Sequence, residues 1–190
     1  MVTDVQVVES LRAGDAETFR ALIERLEQPI VGYLFRLVGD RETALDIAQD
    51  TFLQVYKERE KMPPDHHEAW IYRIATNYGL RYLNRKRLRH MVGLDEPARS
   101  ADVSNYLVVQ SPENQTEIRL LVHGALDQMK PEDAVCLQLH FGNGFTYEEI
   151  GRVMATSPEA VRKRVARSVE KFRALYDASS RNGKQWRQIR

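Results

Sequence analysis

The stretch from Thr146 to Leu175 constrains this chain most: it spells out a short helix, a tight turn and a longer second helix. Thr146 stands three residues before Glu149, the capping-box spacing in which two side chains satisfy free backbone donors at a helix start. Ile150 and Val153 or Met154 then face inward, and Ala155-Thr156 makes the turn. Ser157 is a good N-cap, and Pro158 fits the first helical position, where its missing N–H costs nothing. Along the second helix Val161, Val165, Val169, Phe172 and Tyr176 fall on one apolar stripe. Glu159, Lys163, Ala166 and Arg167 lie opposite, flanked by Arg162, Arg164 and Lys171. An apolar inner stripe under a basic outer face suits a helix that packs on its own domain and lies in a major groove. The pattern predicts a helix-turn-helix DNA reader. Charge alone fits a solvated basic helix equally well; the cap, the turn length and the Ser-Pro start favour DNA.

Charge along the chain points the same way. The net charge is only +1, but it is segregated. Residues 71–90 hold six Lys/Arg and no acid, and residues 159–190 hold ten Lys/Arg against three acids. Residues 92–118 between them hold one Arg against five acids. Two basic patches separated by an acidic stretch suit two contact points on one long polyanion. The single cysteine, Cys136, excludes an internal disulfide and sits in an apolar run that predicts a buried thiol. No apolar h-region follows the first residues, and no apolar run approaches the roughly 18 residues of a membrane span. These features predict a cytoplasmic protein without membrane insertion.

Helical periodicity dominates the rest, and the fold class expected is all-α, with two small helical domains joined by a flexible linker. A first helix should run from Asp4 to Ala13 and stop at Gly14. Asp15 caps a second, with Phe19, Leu22, Ile23, Leu26, Ile30, Leu34 and Leu37 inside and a possible kink at Pro29. Gly39-Asp40 ends it. A third helix covers Glu42 to Lys57, Met62-Pro63-Pro64-Asp65 is a loop, and a fourth helix runs from His67 to His90. Residues 1–91 form one unit, 92–113 the linker and 114–177 the second unit, opened by helices at Glu113 to Gln128 and Pro131 to Phe141. Residues 178–190 form a basic tail, expected to be mobile.

Two further constellations carry function. The third helix has an inner stripe of Ala44 or Leu45, Ala48, Phe52 and Val55. Asp46, Ile47, Asp50, Leu53 and Gln54 point elsewhere, and an aliphatic residue amid carboxylates predicts a protein-docking face. Ile47 packing under a neighbouring helix is the alternative. The fourth helix interleaves aromatics with bases, from Trp70, Tyr72, Arg73 and Asn77 to Tyr78, Arg81, Tyr82 and Arg85. That mixture suits single-stranded nucleic acid, where stacking and phosphate contact act together. Its inner stripe is read as Ile71, Ile74, Ala75, Tyr78 and Tyr82, with Arg73, Thr76, Asn77, Asn84 and Arg87 facing out.

The order of these parts resembles the extracytoplasmic-function (group 4) sigma factors of bacterial RNA polymerase. Three segments carry the resemblance: Ala44 to Tyr56, which looks like region 2.2; Ala69 to Asn77 with the Arg-rich helix after it, like regions 2.3 and 2.4; and Phe145 to Val165, like region 4. The resemblance implies that Asp46, Ile47, Gln49, Asp50, Leu53 and Gln54 dock on the beta-prime clamp helices of core polymerase, with the beta flap a second contact. It implies that Lys61, His66, His67, Tyr72, Arg73, Asn77, Arg81 and Arg85 handle the minus-10 element, the loop from Lys61 to His67 taking an unstacked base. Ser157, Arg162, Lys163, Arg164, Arg167 and Lys171 would read the minus-35 duplex. Promoter DNA, core RNA polymerase and an anti-sigma factor are the implied partners. The chain departs from the family at Met129-Lys130-Pro131, at Ala134 and at Gly151, where a helix-interior glycine costs roughly 0.5–1 kcal/mol. Pro63-Pro64 stiffens the loop, and His66-His67 are unusual in it.

Neither a catalytic constellation nor a cofactor is expected. His66, His67, His90, His123 and His140 lack metal-ligand spacing, and neither a phosphate loop nor a nucleophile elbow appears. Two competitors to an initiation factor remain. A sigma-like protein that only binds an anti-sigma factor would not need two basic faces. A stand-alone repressor leaves the acidic face of the third helix unexplained.

Overall fold

The buried-versus-polar pattern resolves into helices throughout. The computed structural model describes residues 4–92 and 113–187, and these contain helices and no strand. In the first unit α1 spans Asp4–Arg12, α2 Ala16–Val38, α3 Arg41–Lys57 and α4 His67–Met91, with a 3-10 turn at Arg59–Lys61. In the second, α5 spans Glu113–Asp127, α6 Pro131–Leu137, α7 Tyr147–Met154 and α8 Pro158–Arg187, and a π-helical turn at Gln138–Gly142 follows α6. The linker expected at 92–113 lies almost wholly outside the described residues.

The caps are those the residue types demand. Asp15 accepts from Thr18 N and Asp40 from Thr43 N, so each carboxylate satisfies a free donor and sits below the usual carboxylate range, chiefly because of its hydrogen bond to the threonine side chain. Gly39 ends α2 in the left-handed region at φ 78°, its N–H bonded to Phe35 O. Pro29 lies on the exposed side of α2, inside one continuous helix.

The second half of α2 is the hub of the molecule. Ile30, Val31, Tyr33, Leu34, Phe35, Leu37 and Val38 are all buried, on every face of the helix. A helix apolar all round must be covered all round. Here α3 and α4 cover one side, while α5 and α6 of the second unit approach the other. Sequence periodicity picks out only the Ile30-Leu34-Leu37 stripe; the apolar run from Ile30 to Val38, broken only by Gly32 and Arg36, is the sign of the second partner.

One buried aromatic column crosses between the units. Tyr33 lies 5.4 Å from Tyr72, and Tyr72 meets Phe145 edge-on at 4.9 Å. Each such ring, buried from water, stabilises by roughly 1.5–3 kcal/mol. The Tyr33 hydroxyl pairs with Thr76 Oγ1 at 2.8 Å, so Thr76 faces inward and not outward as its place on the helical wheel suggested. The helix α8 also runs on to Arg187, past the point where a mobile tail was expected. Arg181 Nε bonds Asp177 O, and no proline interrupts the segment.

Candidate functional site

The helix-turn-helix is built as its residues prescribe. Thr146 Oγ1 accepts from Glu149 N at 3.3 Å while Glu149 Oε2 accepts from Thr146 N at 2.8 Å, a complete capping box. Ala155 turns the chain in the left-handed region at φ 51°, and Thr156 N bonds Gly151 O at 2.9 Å. That turn explains the glycine. A Cβ on Gly151 would lie 2.7 Å from the Thr156 carbonyl oxygen, so close approach of backbone, not weak helix propensity, decides the residue. Ser157 Oγ accepts from Ala160 N at 3.2 Å and starts α8.

On α8, Val161 and Val165 are buried and Ser157, Arg162, Lys163, Arg167 and Lys171 are exposed. Glu159 breaks the basic face. It accepts two hydrogen bonds from Arg162, at 3.0 and 2.9 Å, and lies 3.5 Å from Lys163. Arg162 thereby holds the Glu159 carboxyl below its usual range, and Glu159 raises Arg162 in turn. Arg164 is half-buried, 3.7 Å from Asp133 at the start of α6.

The outer face of α3 differs from the sequence reading in one residue. Ile47 is only 8% exposed. It packs in a stripe with Ala44, Ala48, Thr51, Phe52 and Val55, because α3 is wedged between α2 and α4 and needs a wide inner face. Asp46, Gln49 and Asp50 are exposed, and the exposed aliphatic residue is Leu53, at 57%. Gln54 is half-buried and donates to Glu58 at 2.9 Å. Tyr56, missed in the sequence because it borders the apolar stripe, is 45% exposed beside Leu53, held edge-on to Phe19 at 5.2 Å.

The loop ahead of α4 runs from Met62 to His66. Met62 is fully buried and anchors it. Lys61 is exposed, 3.6 Å from Glu58. His66 takes a left-handed conformation at φ 58°, uncommon for a residue with a side chain, and its Nδ1 lies 3.7 Å from Glu149 of the helix-turn-helix. On α4 the exposed residues Arg73, Asn77, Arg81 and Arg85 recur every fourth position and form one polar, basic face. Two residues predicted for that surface are buried. His67, 4% exposed, lies with Nε2 3.2 Å from Arg25, and Tyr72, 3% exposed, stands beneath Phe145. The helical wheel places both at the margin of the stripe; Arg25 of α2 reaches His67, and Phe145 of the second unit covers Tyr72. Burial pushes the Tyr72 phenol up to about 12, with Glu68 adding to the rise.

The loop and the helix-turn-helix face each other. Two adjoining clefts of about 660 and 700 Å³ lie between them, lined by His66, Trp70 and Arg73 on one side and by Arg152, Thr156 and Ser157 on the other. Among the described residues no group of acids, histidines and cysteine converges as a metal site, and no helix is long and apolar enough to cross a membrane. Cys136 is buried in the second unit, and burial pushes its thiol up to about 11.

Comparison with known proteins agrees with this arrangement. Residues 22–89 match Sigma-70 region 2, and residues 119–172 match Sigma-70, region 4. The RNA polymerase sigma-H factor of Pseudomonas aeruginosa is 30% identical over 175 residues, spanning 88% of this chain and 90% of that protein. The ECF RNA polymerase sigma-E factor of Haemophilus influenzae is 29% identical over 176 residues, spanning 89% of this chain and 93% of that protein. Among solved structures, the sigma factor RpoE of Bartonella quintana, in a co-crystal with the anti-sigma factor NepR, shares the fold. Its TM-score is 0.65 at 17% identity, over 85% of this chain and 98% of that one.

Proposed function

Since the chain belongs to the extracytoplasmic-function sigma factors of RNA polymerase, we propose that it binds core polymerase in the cytoplasm and directs promoter-specific initiation, reading duplex DNA with its second unit and opened DNA with its first. It acts as a subunit and not as a catalyst. The observation that carries this reading is the capped α7–α8 pair, which presents Ser157, Lys163, Arg167 and Lys171 outward over a buried Val161-Val165 stripe. That face holds the minus-35 duplex, with Arg162 joining once DNA phosphate competes for it against Glu159. Arg73, Asn77, Arg81 and Arg85 follow the opened minus-10 strand, and the loop from Lys61 to His66 receives an unstacked base. His67 and Tyr72 support that surface from beneath. Asp46, Gln49, Asp50, Leu53 and Gln54, joined by Tyr56, dock on core polymerase.

In vitro transcription with purified core polymerase on a promoter library tests this. Transcripts from promoters sharing two spaced elements are expected; none from any promoter would leave a sigma-like protein that only binds a partner. An anti-sigma factor is a proposed partner, supported by the Bartonella quintana relative, which was crystallised with one.

A further inference from the structure

We infer that Arg12 is a positioning residue for promoter opening: from the N-terminal helix it fixes the entrance of the base-reading loop. The inference rests on the reading of that loop given above. Arg12 closes the last turn of α1, and both its Nε and its Nη2 donate to a single acceptor, the carbonyl oxygen of Met62. The Nε contact measures 3.0 Å. Met62 is the last residue before Pro63-Pro64, and a residue before proline is driven to extended backbone; Met62 sits at φ −60°, ψ 125°. Its carbonyl therefore leaves the helical hydrogen-bonding pattern, and a charged fork from another helix holds it instead.

The rest of α1 and its turn support that grip. Leu11, beside Arg12, is buried, as is Val8 one turn earlier. The turn at Gly14 lies against the 3-10 segment that leads into the loop: Arg59 Nε is 3.6 Å from where a Gly14 Cβ would stand. Arg59 also lies over the Tyr56 ring at 4.7 Å and donates to Tyr56 O. At the loop's other end Arg25 pairs with Glu68 at 3.0 Å and reaches His67 at 3.2 Å. The loop is thus clamped by an arginine at each end, with two prolines between. Capturing an unstacked base pays off only if the pocket exists before the base arrives, because a loop that must first be ordered loses that advantage.

The test uses the full chain with core polymerase on the best promoter from the library. It compares Arg12→Ala, Arg12→Lys and the loop double variant Asp65→Ala/His66→Ala. Permanganate reactivity of minus-10 thymines reports opening; fluorescence titrations report core affinity and minus-35 duplex affinity. Arg12→Ala is expected to lower opening by roughly tenfold to a hundredfold with both affinities within about twofold of the parent. Arg12→Lys, which keeps one charged donor, should recover part of the loss. If the double variant loses opening and Arg12→Ala does not, the positioning role is overturned and the loop reading stands. If the double variant opens normally, the loop reading falls and this inference falls with it. Equal losses by Arg12→Ala in opening, core affinity and duplex affinity, or no recovery by Arg12→Lys, would make Arg12 a residue of general stability and overturn the proposal.

Discussion

The Asn143 side-chain amide donates to the Tyr72 hydroxyl at 3.0 Å, and this bond ties the fourth helix of the first unit to the turn ahead of the helix-turn-helix in the second. Arg36 of α2 lies 3.5 Å from the same asparagine. A turn residue on one unit thus meets two helices of the other.

Removing that amide tests how far each unit depends on the other. Asn143→Ala should lower stability by about 1 kcal/mol, the net worth of one such bond. Phe145→Ala, which also empties the space over Tyr72, should cost about 3–5 kcal/mol. Urea unfolding followed by tryptophan fluorescence measures both; parental midpoints in both variants would show that the contact contributes nothing.

The turn of the helix-turn-helix makes opposite demands at two positions four apart. Gly151→Ala places a methyl against the Thr156 carbonyl and should destabilise by about 1–3 kcal/mol, despite the better helix former. Ala155→Gly relieves a left-handed alanine and should stabilise by about 0.5–1 kcal/mol. Thermal unfolding of the two variants gives both signs.

The basic face of α8 carries its own brake. Lys163→Ala or Arg167→Ala should cost roughly 1–3 kcal/mol on minus-35 duplex if a base contact is lost. Glu159→Gln should act the other way, tightening duplex binding and steepening its salt dependence, because it frees Arg162 and Lys163 for phosphate. Fluorescence anisotropy across a salt series separates the two effects; a weaker complex for Glu159→Gln would mean that the carboxylate itself reads DNA.

Two residues three apart on α3 should fail in different assays. Ile47→Ala should cost about 2–5 kcal/mol of stability, since the side chain is buried. Asp50→Arg should leave stability within about 0.5 kcal/mol and weaken binding to core polymerase. Core affinity unchanged by Asp50→Arg would remove this face from the docking surface.

Alkaline pH should loosen the second unit through Cys136. In the unfolded chain the thiol ionises near its ordinary value of 9.0, but in the folded chain only near about 11. The folded state therefore binds the proton more tightly. Its contribution is complete below about pH 9 and is lost as pH rises toward about 11. Cys136→Ala should flatten that part of the urea-midpoint profile relative to the parent; superimposable slopes would show that the thiol is not the group responsible.

Much of this was legible in the sequence because capping chemistry is local. Asp15, Thr146 and Ser157 each announce a helix start from residue type and spacing alone, and each caps one; Asp40, read with Gly39 as the end of α2, caps α3 as well. What was hidden depends on distant partners. Ile47, Thr76, His67 and Tyr72 sit at stripe margins, where a helical wheel cannot say whether a second layer arrives. The reason for Gly151 lies in a carbonyl five residues away, across a turn whose tightness periodicity does not report. Arg12 looks like any polar helix end until the fold brings Met62 beside it, fifty residues on.

At thirty residues α8 is a beam about 45 Å long, with its capped end at Ser157 and the other end far beyond Phe172, the last residue matched to region 4. A beam converts small rotations into large displacements: five degrees of tilt moves its tip by roughly 4 Å. Any body that seizes the distal end therefore sets the angle at which the near end enters a groove. Leverage of this kind would act from a distance, without altering a single residue of the basic face.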